Sequence, residues 1–169
     1  MKYYDFEKDA MCIPQQISNY ALYSGQIFIF GAIVACFLKH YYLSALIFLL
    51  YVSTMLFWSN VRTKYLSKEK LFDSFIAAST VLLATFYYAR YYFKPQYKTI
   101  WCVTIAFSIF VFIINEIVYY FNVNKWKDFG RLVNIAERNV INNMTVFSHI
   151  LFLHILPVFA YIYCAVSSI

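Results

Sequence analysis

The sequence predicts an all-α protein, a single-domain bundle of about five transmembrane helices, and three observations carry that expectation. Sixty-three per cent of the 169 residues are hydrophobic and only 13% are charged, whereas a soluble domain usually carries about 25% charge. The hydrophobic residues gather in five runs, each near the roughly 20 residues that a helix needs to cross a bilayer. The charged residues collect between the runs. Such a chain has too little polar surface to cover a soluble core, so its apolar excess must face lipid.

Taken in order, residues 1–20 read as a mixed polar tail with a break at Pro14. The tail carries Asp5, Glu7 and Asp9 beside Lys2 and Lys8, so it lacks the basic start of a signal peptide, and the first span is expected to act as its own insertion signal. That span covers about residues 21–38 and stops at Lys39-His40. The second covers about 41–59, and the connection is so short that the two should form an antiparallel hairpin. A polar loop with Arg62, Lys64, Lys68 and Lys70 follows. The third span covers about 71–93. Its end holds Tyr87, Tyr88, Tyr91 and Tyr92, rings that favour the headgroup level, before Lys94-Pro95 breaks the helix. The fourth covers about 99–121. Between residues 122 and 139, Leu132, Val133, Ile135, Ala136 and Val140 recur at roughly helical spacing, which predicts a short interfacial helix. The last span covers about 145–166 and contains Pro157.

The net charge of +6 does not point to nucleic acid, because the basic residues form short clusters at the ends of apolar runs and no continuous basic face. With five spans, one side of the membrane receives ten Lys and Arg and the other receives Lys39, Arg90, Lys94 and Lys98. That bias predicts a cytosolic N-terminus and a C-terminus outside or in a lumen. The sequon Asn143-Met144-Thr145 then lies on the cytosolic side and is expected to carry no glycan. The four cysteines, Cys12, Cys36, Cys102 and Cys164, form no CxxC and read as free, buried thiols.

Ionisable groups inside spans are expensive, so each is a functional candidate. They are Asp73, Glu116, His149 and His154. Five spans put Asp73, Glu116 and His149 at similar depth, together with Trp58, Asn60, Arg62 and Asn115. Two carboxylates and an imidazole suit a divalent metal such as zinc, or a proton relay. The structural alternatives are that Asp73 caps its helix or pairs with Arg62 or Lys70, that Glu116 snorkels, and that His149 bonds across helices. His149 and His154 are five residues apart, about 140° around an ideal helix, which does not suit a chelating pair unless Pro157 alters the backbone. His40 and His154 fall at different depths, against a haem between two histidines. Gly31-Ala32 with Ala35-Cys36, the series Asp73, Ala77, Thr80, Ala84, and the series Thr104, Ser108, Asn115 mark packing faces. There is no mid-span lysine for a retinal Schiff base, and no GxxxxGK[ST], HExxH or GxSxG.

The segment His40–Arg62, HYYLSALIFLLYVSTMLFWSNVR, with Asp73 downstream, resembles a loose pattern in small multi-span membrane proteins of large DNA viruses and protists, a resemblance that implies no activity. Asp73, His149 and His154, with Ser53 or Ser59, are similar in type to the serine, aspartate and histidines that ceramidase-like membrane hydrolases arrange around zinc. This chain departs from that pattern. Seven spans are expected there, the terminal pair should be HxxxH where this chain has HILFLH, and no histidine lies between the serine and Asp73. The leading expectation is therefore a non-enzymatic integral membrane protein, a structural or accessory subunit that packs against other membrane protein subunits or itself. A metal-dependent lipid hydrolase and a small channel or proton/ion carrier are the alternatives.

Overall fold

The computed structural model describes residues 15–59, 68–128 and 143–169. Among these there is no strand, and five helices are long and apolar enough to cross a membrane. The first, α1, comprises Gln15–Ser24 and Ile27–Phe37, joined by a turn at Gly25-Gln26. The second, α2, is Tyr41–Ser59. The third, α3, is Lys68–Tyr92 and includes a π-helical segment, Ala84–Ala89. The fourth, α4, is Pro95–Asp128, with its apolar part in Pro95–Val118. The fifth, α5, is Asn143–Val166 and holds a second π-helical segment, Ile150–Ile155. The interfacial helix expected between 122 and 139 falls partly on residues 129–142, which lie outside the described residues, as do Cys12, Asn60 and Arg62. Residues 122–128 instead extend α4, whose 34 residues span about 50 Å. The stretch after Phe121 is polar but holds no helix breaker before Gly130, so polarity marks where the helix leaves the apolar layer and does not end it.

The α1–α2 connection is set by backbone chemistry. Lys39 has φ 63°. Its N–H donates to Cys36 O at 2.9 Å and the His40 N–H donates to Ala35 O at 2.8 Å. These are the paired bonds of a helix C-terminus closed by a left-handed residue, a role usually taken by glycine. The tight cap turns the chain back at once, and α1 and α2 form the expected hairpin. Gly31, Ala32 and Ala35 lie buried along α1. A Cβ added at Gly31 would sit 3.1 Å from Val158 Cγ1 and 3.6 Å from Ile47 Cγ2, so this glycine lets α1 approach α2 and α5 together. Cys36 and Cys102 are exposed, contrary to expectation, and only Cys164 of the three described thiols is buried. Apolar runs supply lipid-facing positions as readily as core ones, so a cysteine within one need not be internal.

The helices pack in the order α3, α2, α1, α5, α4. The ring does not close evenly. Although α3 and α4 are consecutive, they pack closely only around Ala84–Ala89, where Trp101 Nε1 donates to Thr85 Oγ1 at 3.0 Å. One end of the bundle collects the α1–α2 turn, the α3–α4 turn and the C-terminus: the Lys94 N–H donates to Ser168 Oγ at 3.0 Å and Lys94 Nζ to Ser167 O at 3.2 Å. At the other end Asn115 meets Thr145 and Ser148. Five antiparallel crossings require this grouping of ends.

Two stability outcomes follow. Lys39→Gly should stabilise the fold by about 1 kcal/mol, because the left-handed conformation costs a residue with a side chain about that much. Gly31→Leu should destabilise it by about 1–3 kcal/mol through overpacking against Val158. Thermal unfolding of the purified variants in one detergent measures both.

Candidate functional site

Inside the open ring lies a chamber of about 450 Å³. Its wall includes all four ionisable residues expected from the sequence, Asp73, Glu116, His149 and His154, together with Lys70. Equal depth has thus become a shared cavity. Each group also has protein partners. Asp73 Oδ1 accepts from Ser53 Oγ at 2.7 Å and Thr54 Oγ1 at 2.9 Å. Ser53 Oγ also lies 3.0 Å from Leu50 O, so its single hydrogen chooses between the two. Adjacent hydroxyls on α2 therefore hold the α3 carboxyl, in the place where a helix cap or an arginine was one expectation. Ser59 belongs to no such set: it is exposed and bonds back to Leu56 O.

Glu116 does not snorkel alone. Lys70 Nζ reaches both of its carboxylate oxygens, at 3.0 and 2.8 Å. The pair joins α3 to α4 at the end of the chamber away from their connecting turn. At 19% and 32% side-chain exposure it is neither a solvated surface pair nor a fully desolvated one.

His149 and His154 require a correction. An ideal helix places residues five apart about 140° from each other, but here the two rings stand 4.9 Å apart, edge to face. The cause is the π-helical segment Ile150–Ile155, whose wider turn brings residues five apart to nearly the same side. Pro157 follows directly. It has no N–H to offer the preceding turn and its ring crowds that turn, so the backbone re-registers there. His154 is buried and its Nδ1 lies 2.7 Å from Ser24 Oγ, while Ser24 Oγ also donates to Ala21 O at 2.9 Å. His149 packs edge-on against Trp58 at 5.3 Å. Reading the sequence did not pick out Ser24. It lies one residue before Gly25, and only the fold brings it to a histidine 130 positions away.

Among the described residues no three His, Cys, Asp or Glu side chains gather closely enough to hold one ion, and both carboxylates are engaged by protein donors. Two chamber-lining residues each carry a polar atom that is enclosed by protein and has no hydrogen-bond partner among the described residues, Trp58 Nε1 and Ser108 Oγ. Both side chains are buried, at 3% and 5% exposure, and both residues line the chamber. An unmade hydrogen bond on a buried donor costs about 1–3 kcal/mol, so such atoms call for a ligand or a water. The remaining wall is largely apolar, for example Phe28, Ile47, Ile105 and Val158.

A second buried polar group sits at the opposite end. His40 Nδ1 lies 2.7 Å from the Tyr161 hydroxyl, and its ring packs against Tyr88 and Tyr92 at 4.5 and 4.9 Å. The chain matches no protein-family model, no curated protein and no solved structure, so these contacts are the basis for interpreting it.

Burial lowers the His40 pKa below its ordinary value near 6.5. The unfolded chain therefore takes up a proton more readily than the folded one. His40 contributes stability that is full above about pH 6.5 and declines as pH falls toward the folded-state value. Unfolding temperatures measured between pH 7.5 and 5 should fall for the wild type and fall less for His40→Asn.

Proposed function

We propose that this protein is a non-enzymatic accessory subunit of a membrane assembly, and that its working part is the chamber, which takes up one amphipathic molecule from the bilayer. The supporting observation is the chamber of about 450 Å³ itself, a largely apolar wall with a few polar groups, among them Lys70, Glu116 and His149, on which Trp58 and Ser108 also lie. An apolar cavity of several hundred cubic ångströms with a few placed polar groups is the usual form of a small-molecule site. An apolar tail suits most of the wall, and a head bearing a carbonyl, carboxylate or phosphate oxygen suits the polar end of the chamber, where Trp58, Lys70 and His149 form part of the lining. The charge bias supports a cytosolic N-terminus and a C-terminus outside or in a lumen.

The hydrolase reading finds less support. Ser53 and Asp73 meet, but among the described residues no three His, Cys, Asp or Glu side chains gather as zinc would need. The ion-carrier reading is weakened by the mutual pairing of Lys70 and Glu116.

Native mass spectrometry of protein released from mild detergent should show one retained lipid-like adduct. Trp58→Phe keeps the ring but removes the donor, and should lower adduct occupancy by about fivefold, the worth of one hydrogen bond. Wild-type protein that is free of adduct, or occupancy unchanged by both Trp58→Phe and Ser108→Ala, would overturn the chamber assignment. Crosslinking in native membranes tests the assembly role: a chain that is always alone there is no subunit.

A further inference from the structure

We infer that the Lys70–Glu116 ion pair is a latch across a lateral opening of the chamber, between α3 and α4, and that it governs the exchange of the amphipathic molecule with the bilayer. The inference rests on the chamber reading above and adds the route of entry and the residues that control it.

The opening follows from the packing. α3 and α4 are tied at their connecting end by the Ala84–Ala89 segment and the Trp101–Thr85 bond. Beyond that point they have no close packing on each other, yet both line the chamber. Chamber-lining residues on each helix are also strongly exposed: Leu82 on α3 is 55% exposed and Ile109 on α4 is 47% exposed. Side chains that line a cavity and remain this exposed mark a wall that is open on that side. In a bilayer that gap faces acyl chains, so the route is open to a lipid-like molecule and closed to a water-soluble one.

The ion pair stands at the far end of the same gap. Lys70 is in the first turn of α3 and Glu116 lies near the end of the apolar part of α4, and their bond is a polar tie between the two helices there. α4 can swing outward about its turn with α3 only if this tie breaks. In a low-dielectric setting separating the charges is costly, which keeps the gap narrow. A head group with an anionic or strongly accepting oxygen lowers that cost, because it can engage the Lys70 ammonium as Glu116 leaves. The latch therefore favours acceptor-bearing heads over plain hydrocarbon. A helix of a second protein seated in the gap is the competing occupant, and it would exclude the molecule altogether.

The test uses the full chain in lipid nanodiscs and a fatty acid carrying a nitroxide near its tail. Quenching of tryptophan fluorescence at equilibrium reports occupancy. Its recovery after mixing with excess unlabelled vesicles reports the exchange rate. Glu116→Gln should raise that rate by a factor on the order of ten, with occupancy changed far less. The double variant Lys70→Glu with Glu116→Lys should return the rate toward the wild type. Should Glu116→Gln fail to fold, Lys70→Gln gives the same comparison. Occupancy with an unchanged rate overturns the latch and leaves the chamber reading standing. A wild-type protein that never takes up the probe overturns both.

Discussion

Inside a bilayer a polar side chain has no water to fall back on. Nearly every irregular feature of this protein follows from that constraint. Asp73 on α3 is met by two hydroxyls of α2, and Glu116 on α4 by Lys70 of α3. His154 on α5 is met by Ser24 of α1, and His40 by Tyr161 of α5. Apolar packing drives helix association weakly in lipid, because acyl chains are as apolar as leucine. These cross-helix bonds are thus the contacts that choose which helices are neighbours. Small residues then set how close the neighbours come, as Gly31 does against Ile47 and Val158.

The two π-helical segments serve the same constraint by changing register. A straight α5 would turn His149 and His154 to different faces. The Ile150–Ile155 segment, next to a proline that cannot complete the helical ladder, puts both rings on one side. One of them then reaches Ser24 and the other Trp58. The Ala84–Ala89 segment on α3 carries Thr85 to Trp101 and Tyr88 to His40. Each wide turn thus lies where two or more helices must present polar or aromatic groups to one another.

The five crossings were legible because they depend on local chemistry. Long apolar runs bounded by charges need no partner to be recognised, and the Lys39-His40 turn leaves room for only one arrangement of α1 and α2. The gathering of Asp73, Glu116 and His149 at one depth was also legible, since it follows from counting residues along alternating spans. What lay beyond the sequence was azimuth. Asp73 had cationic neighbours in its own segment, yet hydroxyls at Ser53 and Thr54 hold it, because helix rotation decides which groups face it. The angle between His149 and His154 was misread for a related reason: it assumed an unbroken helical period, and one extra residue per turn is enough to overturn it. The fourth span was legible at about 99–121, close to the apolar part Pro95–Val118, but its helix runs on to Asp128, because polarity marks the end of the apolar layer and not of the helix.

The chamber is the place where this pattern of mutual satisfaction stops. Among the described residues, Asp73, Glu116, His154 and His40 are matched across helices and Ser59, Ser79 and Thr80 bond back to their own helix, but Trp58 Nε1 and Ser108 Oγ are buried without a partner, on two residues of one shared wall. They belong to α2 and α4, which are separated in the packing order by α1 and α5 on one path and by α3 on the other. Neither helix can supply the other's missing partner without collapsing the space between them. The helices thus enclose a chamber whose loosely packed side lies between α3 and α4. On the proposed reading the occupant of the chamber comes from outside the chain, and the loosely packed side between α3 and α4 gives it a route from the bilayer.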